Sequence, residues 1–364
     1  MSRLRQESDF RYPLIEAGGP PRELGRQHGE QAASRIDGYL DFLASSLKAS
    51  REELRTRASK FLPLFERDCP QLIEEIRGLA EGAKLDFADA LAAQLRGELG
   101  PVADGACTSF AIGPNATANG ETIVGQTSDN PPELMDFGYT LRVTPDDGRP
   151  AFVMWTFGGM LGYFGVNTHG VCNFANSLGG GPKWKFALAH YPLKRLIYEQ
   201  KNLDEVQQLM RTFPVCSNGN YMLGDGSGAI LDVEMTSDGP FPLDNNGADF
   251  LVHSNHYLCN EHACDENFEH SLPDSFFRLD RMTELIREKC GSITVDDVKT
   301  MLADHGNYPT GICRHPGKDR GHAMLDANGC TVAAIIVEPM QGKLHVARGN
   351  ACENEFVEYA VAGG

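Results

Sequence analysis

The chain has 364 residues, of which 41% are hydrophobic and 23% charged, which is sufficient for one large domain with a sizeable core. Its net charge of -17 is spread along the sequence and argues against nucleic acid or a membrane as a partner. There is no apolar run of membrane-spanning length, and no apolar stretch follows the amino-terminal charges, so the sequence predicts a cytoplasmic location. Without a secretory signal, the ten cysteines are expected to remain reduced.

The first hundred residues have the periodicity of helices. Apolar residues recur at helical spacing over residues 22–45. A second helix is indicated over residues 70–79, where Pro70 occupies the first turn, a position at which its missing amide costs no hydrogen bond. The helical pattern continues to about residue 99, so the sequence predicts a helical amino-terminal segment.

From residue 107 the period changes to that of strands. Residues 109–112 and 122–126 flank Asn119-Gly120, a pair suited to positive φ angles, so we expect a hairpin whose first edge begins at Cys107. Antiparallel strands interspersed with helices indicate an α+β fold. Further strands are predicted at residues 139–143, 151–157, 220–224, 229–234, 249–253, 332–337 and 343–347, and further helices at residues 187–199, 203–212, 274–288 and 295–303.

Cys107 lies where the two patterns meet, in residues 104–108 (DGACT). The small residues before it suit a strained turn, and we expect the chain to be cleaved between Ala106 and Cys107. The new amino terminus would place an α-amine with a pKa of about 7.7–8.0 beside a thiol with a pKa of about 8.5, so one residue would supply nucleophile and base. The alternative for any single cysteine is a buried, inert thiol.

Seven separated segments carry short motifs in a fixed order: residues 19–29 (GPPRELGRQHG), 107–109 (CTS), 125–129 (GQTSD), 165–170 (GVNTHG), 253–256 (HSNH), 274–278 (DSFFR), and 307–309 (NYP) followed by 312–314 (ICR). Together they resemble the acyl-coenzyme A:6-aminopenicillanate acyltransferase (isopenicillin-N acyltransferase) family of N-terminal-nucleophile hydrolases. The resemblance implies a four-layer αββα sandwich with the nucleophile at the start of a central strand. It also implies two segments, residues 1–106 and 107–364, which form one folded domain as an α/β heterodimer after self-cleavage.

The resemblance assigns roles to individual residues. Cys107 would be the nucleophile, Asp129 would hold its α-amine by a charged hydrogen bond, and Asn255 would donate its amide to the oxyanion. From local sequence alone, Asp129 could equally be a turn residue, and Asn255 would be taken for one. The resemblance further implies substrate-binding or supporting roles for Thr236, Ser275, Arg278 and Arg314.

Two departures from the family pattern affect these assignments. Ala106 stands where relatives often have glycine, which bears on the speed of cleavage. Gly311 stands where relatives often have serine, just before the arginine of the ICR motif. Either Arg278 or Arg314 could hold a substrate carboxylate by a bidentate pair, and the second departure favours Arg278.

A rival interpretation rests on five potential metal ligands between residues 253 and 264. Taken alone, the cluster would suggest zinc. Its spacing lacks the separated second pair that closes a finger or ribbon site, so we expect no metal and no other cofactor. A zinc-dependent hydrolase or a zinc-stabilised binding protein is the alternative function. The five residues are His253, His256, Cys259, His262 and Cys264.

Two other features could contribute to a site. The aromatic and glycine-rich residues 155–165 could form an acyl pocket, although such runs more often belong to the core. A Cys/His pair with His169 or His305 as the base is a further alternative, but neither histidine lies in a matching local motif.

The sequence thus predicts a self-processing cysteine amidohydrolase or acyltransferase. Its substrates would be small molecules with a linear, non-peptide amide, of the N-acyl amine or N-acyl amino-acid type. Cys107 would form an acyl-enzyme, and water or an amine would release the acyl group. Acyl-coenzyme A is a candidate acyl donor.

Overall fold

The computed structural model of the protein describes residues 10–100, 105–244, 247–259, 273–317 and 328–362. Within these ranges the strands form one sheet of eight and one sheet of six. The strands are β1 (Leu14–Gly19), β2 (Ala106–Ile112), β3 (Ile123–Asn130), β4 (Gly138–Pro145), β5 (Phe152–Phe157), β6 (Phe164–Asn167), β7 (Cys172–Ser177), β8 (Gly219–Gly224), β9 (Ile230–Thr236), β10 (Gly239–Pro242), β11 (Phe250–His253), β12 (Cys330–Glu338), β13 (Lys343–Arg348) and β14 (Phe356–Ala360). The α-helices are α1 (Pro21–Ser46), α2 (Arg51–Ser59), α3 (Leu62–Asp68), α4 (Gln71–Ala83), α5 (Phe87–Ala92), α6 (Leu134–Phe137), α7 (His190–Ile197), α8 (Leu203–Thr212), α9 (Pro273–Lys289) and α10 (Val295–Leu302).

Local sequence explains where several helices begin. Ser50 and Thr294 cap α2 and α10 with their hydroxyl groups, and the carboxylates of Glu53 and Asp297 accept from the amides of the capping residues in return. Pro21 takes the first position of α1, where a missing amide is harmless. The helices predicted over residues 22–45 and 70–79 are confirmed as α1 and α4. No helix in the described ranges is both long and apolar enough to cross a membrane.

The strand order places Cys107 inside a sheet. The eight-stranded sheet has the order β1-β4-β5-β6-β7-β8-β9-β10 and the six-stranded sheet the order β11-β2-β3-β12-β13-β14. The predicted hairpin is confirmed, since β2 and β3 are antiparallel neighbours with Ala106 opposite Asp129 and Cys107 opposite Ser128. Because β11 pairs with the other side of β2, Cys107 is the second residue of an interior strand.

Alternate residues of the six-stranded sheet face two different layers. Ala111 and Ile335 belong to the large core that includes residues of the eight-stranded sheet. Phe110 and Ile336 belong to a second cluster with Ile286 of α9. This alternation is the period of two expected of strands. On the other side of the molecule, α1 contacts β4 and β5 of the eight-stranded sheet. The layers therefore run helix, sheet, sheet, helix, and the predicted αββα sandwich is confirmed.

The amino-terminal segment is not wholly helical. It contains β1, which pairs in parallel with β4 and forms one edge of the eight-stranded sheet. The sequence pattern does not predict β1, β6, β7, β10 or β14. Of these, β6 and β10 have only four residues each, and strand propensity over so few residues is a weak signal compared with the pairing that the tertiary structure supplies.

Glycines bring the backbones of α1 and α4 into direct contact. A methyl group built on Gly25 of α1 would lie 1.9 Å from the backbone oxygen of Glu75, and one on Gly78 of α4 would lie 1.9 Å from that of Arg22. Backbone atoms cannot move aside as a flexible side chain can, so a larger residue would push the helices apart. The glycines of this contact are Gly25, Gly29, Gly78 and Gly82.

We expect Gly78→Ala to lower the free energy of unfolding by about 1–3 kcal/mol through this clash. The loss should appear even though alanine favours a helix by up to about 1 kcal/mol over glycine. Gly38→Ala is the control, because its new methyl group meets the movable ring of Phe137 at 2.9 Å. Urea unfolding in a Cys107→Ala background measures both, and a Gly78→Ala protein as stable as its parent would refute the close contact.

Candidate active site

Cys107 is the second residue of β2, is 6% exposed, and lies at the wall of a cavity of about 210 Å³. Burial raises the pKa of its thiol to about 12, the negative charge of Asp129 adds to the rise, and Arg278 offsets part of it. In the intact chain the thiol is therefore protonated at neutral pH. It needs a base before it can act as a nucleophile.

The backbone of Cys107 is held on both sides of its Cα atom. Its nitrogen donates a hydrogen bond to Oδ1 of Asn255 at 3.0 Å. Its carbonyl oxygen accepts from Nδ2 of Asn176 at 3.1 Å, from Oγ of Ser254 at 3.3 Å and from Nη1 of Arg278. These donors come from β7, from the loop after β11 and from α9, so the position of Cys107 is set by the tertiary structure.

The side-chain amide of Asn255 has a defined orientation. Its Oδ1 accepts from the Cys107 nitrogen and from Nη2 of Arg278 at 2.8 Å, and its Nδ2 donates to the carbonyl oxygen of Ser177 at 2.9 Å. A guanidinium group only donates and a backbone carbonyl only accepts, so exchanging the two amide atoms would break these bonds. The oxygen of Asn255 therefore faces the nitrogen that cleavage would convert into an α-amine.

Ser275 joins Asn255 to His256. Its Oγ accepts from the backbone nitrogen of Asn255 at 2.8 Å, so its own proton is directed to Nδ1 of His256, also at 2.8 Å. Burial lowers the pKa of His256 to about 3, and the neutral ring can accept this proton. Ser275 thus fixes the backbone that carries Asn255.

Arg278 reaches the site from α9 and is fully buried. Besides Cys107 and Asn255, its guanidinium group donates to Oγ1 of Thr108 at 2.9 Å and to Oδ2 of Asp274 at 3.3 Å. Four acceptors in different directions suit the planar fork of arginine and not the single ammonium group of lysine. Arg278 is not among the described residues that line the cavity, and its expected contact with a substrate carboxylate stays a prediction.

Asp129 lies on β3 opposite Ala106, the residue before the expected cleavage. Its carboxylate accepts from Oγ1 of Thr331 at 2.7 Å and from Nε of Arg314 at 3.3 Å. Burial raises the pKa of Asp129, and the arginines near it oppose that rise. Arg314 also donates to Asp274, so it joins a carboxylate of β3 to a carboxylate of α9.

Thr236 lies at the end of β9, and its hydrogen bonds are those of a turn. Its hydroxyl group donates to the carbonyl oxygen of Gly239 at 3.2 Å and accepts from the nitrogen of Asp238 at 3.1 Å. The structure therefore does not bring Thr236 into the site through these bonds, and its supporting role stays a prediction. The predicted site residues that do form one hydrogen-bonded network are Cys107, Asn255, Ser275, Arg278, Arg314 and Asp129.

The described members of the cluster in residues 253–264 do not converge as metal ligands. Nδ1 of His253 donates to the carbonyl oxygen of Ser254 at 3.0 Å, and its Nε2 lies 3.2 Å from Oε1 of Glu234. Burial alone would lower the pKa of His253, but the carboxylates of Asp232 and Glu234 raise it overall. With both ring nitrogens facing oxygen atoms at these distances, the imidazole of His253 offers no free position to a metal. Two other members, His262 and Cys264, lie outside the described residues.

The cavity combines aromatic walls with cationic side chains. Tyr163 and Trp184 supply the rings, and Arg96 and Lys194 supply positive charge. The ammonium group of Lys194 lies 4.7 Å from the centre of the Tyr163 ring, within the range of a cation–π interaction. Of residues 155–165, which we considered as an acyl pocket, Tyr163 lines this cavity.

Sequence reasoning missed Asn176 and Lys194. Asn176 lies on β7, a strand that the pattern does not predict, and it binds both the Cys107 carbonyl and the hydroxyl group of Ser109 at 2.6 Å. Lys194 is 6% exposed and lies within the predicted helix of residues 187–199. A lysine among apolar residues on a helix is the signal that could have identified it, since a lysine side chain is seldom buried unless its charge has a partner.

Two facing sheets between layers of helices, with a thiol at the start of an interior strand, form the sandwich of the N-terminal-nucleophile hydrolases. Residues 116–351 match the family described as acyl-coenzyme A:6-aminopenicillanic acid acyl-transferase, and the chain belongs to this family. The chain is similar to the acyl-coenzyme A:6-aminopenicillanic-acid-acyltransferase 40 kDa form of Emericella nidulans, with 26% identity over 326 residues that cover 86% of this chain and 88% of the relative. It is also similar to an uncharacterized protein of Archaeoglobus fulgidus, with 23% identity over 350 residues, 79% of this chain and 57% of that protein.

Solved structures show more distant likenesses. A mutant of the conjugated bile acid hydrolase from Clostridium perfringens has a TM-score of 0.46 and 13% identity, and covers 70% of this chain and 96% of its own. A Caenorhabditis elegans ortholog of N-acylethanolamine-hydrolyzing acid amidase has a TM-score of 0.44 and 13% identity, and covers 64% of this chain and 93% of its own.

We expect Arg278→Lys to lower the free energy of unfolding by about 1.5–3 kcal/mol, because lysine leaves buried acceptors around Cys107 without donors. Arg281→Lys is the matched control on the same helix. Its guanidinium group pairs with Asp304 and Glu284 nearer the surface, so the loss should stay below about 1 kcal/mol. Urea unfolding in a Cys107→Ala background compares the two, and equal losses would contradict the role given to Arg278.

Proposed function

We propose that the chain cleaves itself between Ala106 and Cys107 and then works as an N-terminal-cysteine amidohydrolase or acyltransferase on linear, non-peptide amides. One observation carries the proposal. Cys107 lines the cavity while its own nitrogen, the future α-amine, is already bound by Asn255. Membership of the family supports the proposal, as does the similarity to a relative whose name describes acyl transfer between acyl-coenzyme A and 6-aminopenicillanic acid.

Self-cleavage needs only groups that are present in the chain, together with water. The thiol of Cys107 adds to the carbonyl carbon of Ala106, the C–N bond breaks, and the thiol proton passes to the leaving nitrogen. Water then hydrolyses the thioester and leaves a carboxyl group on Ala106 and a free thiol on Cys107. The chain just before this bond packs closely against β3. A methyl group on Gly105 would lie 2.1 Å from the backbone oxygen of Asp129, so a larger residue would not fit at position 105 without a shift of the backbone.

Turnover would repeat this chemistry on an external amide. The α-amine removes the thiol proton, the thiolate attacks the amide carbonyl, and the amine product leaves with that proton. Water or an amine then takes the acyl group from the thioester. Nδ2 of Asn255 carries two hydrogens, and its bond to Ser177 uses one of them, so the other is a candidate donor to the oxyanion.

The cavity supports an N-acyl amino acid more than a neutral N-acyl amine as the substrate. Arg96 and Lys194 place two cations, and Glu98 one carboxylate, on the wall of a cavity whose other walls include Tyr163 and Trp184, so two positive side chains face one negative side chain there. A carboxylate on the amine portion would be attracted to the cations, and an acyl chain would lie against the rings. Acyl-coenzyme A is the acyl donor to be tested if the chain transfers rather than hydrolyses.

The two segments made by cleavage would remain one folded unit. Residues 1–106 supply β1, which pairs with β4, and α1, which contacts β4 and β5. These contacts hold the amino-terminal segment to residues 107–364 without a peptide bond. The mature protein would therefore be an α/β heterodimer derived from one precursor.

The first test is cleavage itself. Intact-mass analysis of the purified protein should show fragments of 106 and 258 residues, which together make up the 364 of the chain, and Cys107→Ala should stay whole. Cys172→Ala, which alters another buried thiol, is the control that should still be cut. A wild-type protein that hydrolyses amides as one uncut chain would remove the α-amine from the mechanism.

The second test separates the two atoms of the Asn255 amide. Asn255→Asp keeps an oxygen for the Cys107 nitrogen and Arg278 but has no N–H for the oxyanion, whereas Asn255→Ala loses both. If the N–H stabilises the transition state, both variants should lower kcat and kcat/KM together by about 10²–10³-fold. Rates are divided by the fraction of protein that has been cleaved before Cys107, as measured by intact-mass spectrometry. An Asn255→Asp enzyme with nearly full kcat would assign the residue to orientation of the amine alone.

A further inference from the structure

Four potential metal ligands converge in a group that is separate from the cavity. His305, Cys313 and His315 lie in the loop of residues 303–317 after α10, and Cys352 lies between β13 and β14. One ligand atom from each lies within 4.8 Å of all the others. We propose that this group is a structural zinc site.

Four of the six separations within the group match a tetrahedral zinc site, and the other two, between His305 and the sulfurs, lie within 4.8 Å. The Sγ atoms of Cys313 and Cys352 are 3.6 Å apart, and the Nε2 atoms of His305 and His315 are 3.0 Å apart. Nε2 of His315 lies 3.7 Å and 3.4 Å from the two sulfurs. With Zn–S of about 2.3 Å and Zn–N of about 2.0–2.1 Å, tetrahedral angles give about 3.8 Å between sulfurs, about 3.3 Å between nitrogens and about 3.6 Å for mixed pairs. Each of these four separations agrees within a few tenths of an ångström.

Neighbouring groups are placed to support a bound metal. Nδ2 of Asn350 donates to Sγ of Cys313 at 3.3 Å and to the carbonyl oxygen of Arg314 at 2.6 Å. A donor to sulfur stabilises the thiolate, which is the form that binds zinc. Nδ1 of His315, the ring nitrogen outside the group, lies 3.9 Å from Oε1 of Glu353. At this distance the carboxylate attracts the ring electrostatically but forms no hydrogen bond with it.

The chemistry of the ligands selects zinc. Two thiolates and two imidazoles in tetrahedral order are typical of structural zinc, whereas magnesium and calcium take oxygen ligands. Binding would release one proton from each thiol and leave no net charge, because two thiolates balance the ion and the histidines stay neutral. Four protein ligands leave no open position for a substrate. The proposed site differs from the expectation of no metal, which concerned residues 253–264.

A zinc ion in this group would position Arg314. This residue stands between the ligands Cys313 and His315, and its guanidinium group binds Asp129 and Asp274. Fixing the loop on both sides of Arg314 therefore fixes the cation beside Asp129. The zinc proposal does not depend on the proposed function, because metal content can be measured whether or not an amide is cleaved.

Metal analysis of the full-length protein, produced without a histidine tag, tests the site. We expect about one zinc per chain in the wild type and almost none in Cys352→Ser. Cys290→Ser removes another exposed cysteine and should keep its zinc. Cys259→Ser should also keep its zinc, which separates this group from the cluster in residues 253–264. Circular dichroism checks that each variant is folded.

Cobalt gives a second readout on the unaltered protein. Co²⁺ bound to two thiolates in a tetrahedral site should add thiolate-to-metal absorption in the near ultraviolet and strong visible bands, both missing in Cys352→Ser. A wild-type protein that retains no zinc after incubation with zinc and a reductant would overturn the proposal. A Cys352→Ser protein that keeps one zinc per chain would also overturn it. The same holds for a Cys313–Cys352 disulfide detected by mass spectrometry in the freshly purified protein.

Discussion

The hydrogen bonds of the buried Arg278 side chain connect the strand of Cys107, the loop of Asn255 and helix α9. One planar cation binds the carbonyl of Cys107, the amide oxygen of Asn255 and the carboxylate of Asp274. A cation removed from water is costly unless it is fully partnered, so these groups cannot be rearranged independently. Through Asp274 the network reaches Arg314, and it thereby ties the strand of the thiol to the loop after α10.

Some of the segments that carry the family resemblance serve the packing of helices, and others form the hydrogen-bond network of the candidate site. The glycines at 25 and 29 allow two helices to touch and lie far along the chain from the chemistry. Residues 125–129, 253–256, 274–278 and 312–314 contribute instead to the network around Cys107. A resemblance spread over the whole sequence therefore reflects one requirement for packing and another for a preorganised site.

Elements with a local signal were predictable from the sequence. Asn119-Gly120 marks the turn between β2 and β3, and the helical periods locate α1, α4, α8 and α9. Features that arise from distant contacts were not predictable: Asn176 binds the carbonyl of Cys107 across 69 residues, and Cys352 meets Cys313 across 39. Thr236 shows the opposite case. Its residue type suits the expected role, but its hydroxyl group is used within a turn, and only the three-dimensional structure reveals that use.

The pairing of β1 with β4 affects how the protein can refold. In the intact chain, the strand and helix before Cys107 are tethered to the sheet that they complete, so their docking is intramolecular. If the chain is cut after residue 106, docking becomes a reaction between two polypeptides whose rate depends on concentration. Dilute mature protein that unfolds would then seldom recover its native state. Its lifetime would be governed by the rate of unfolding rather than by an equilibrium.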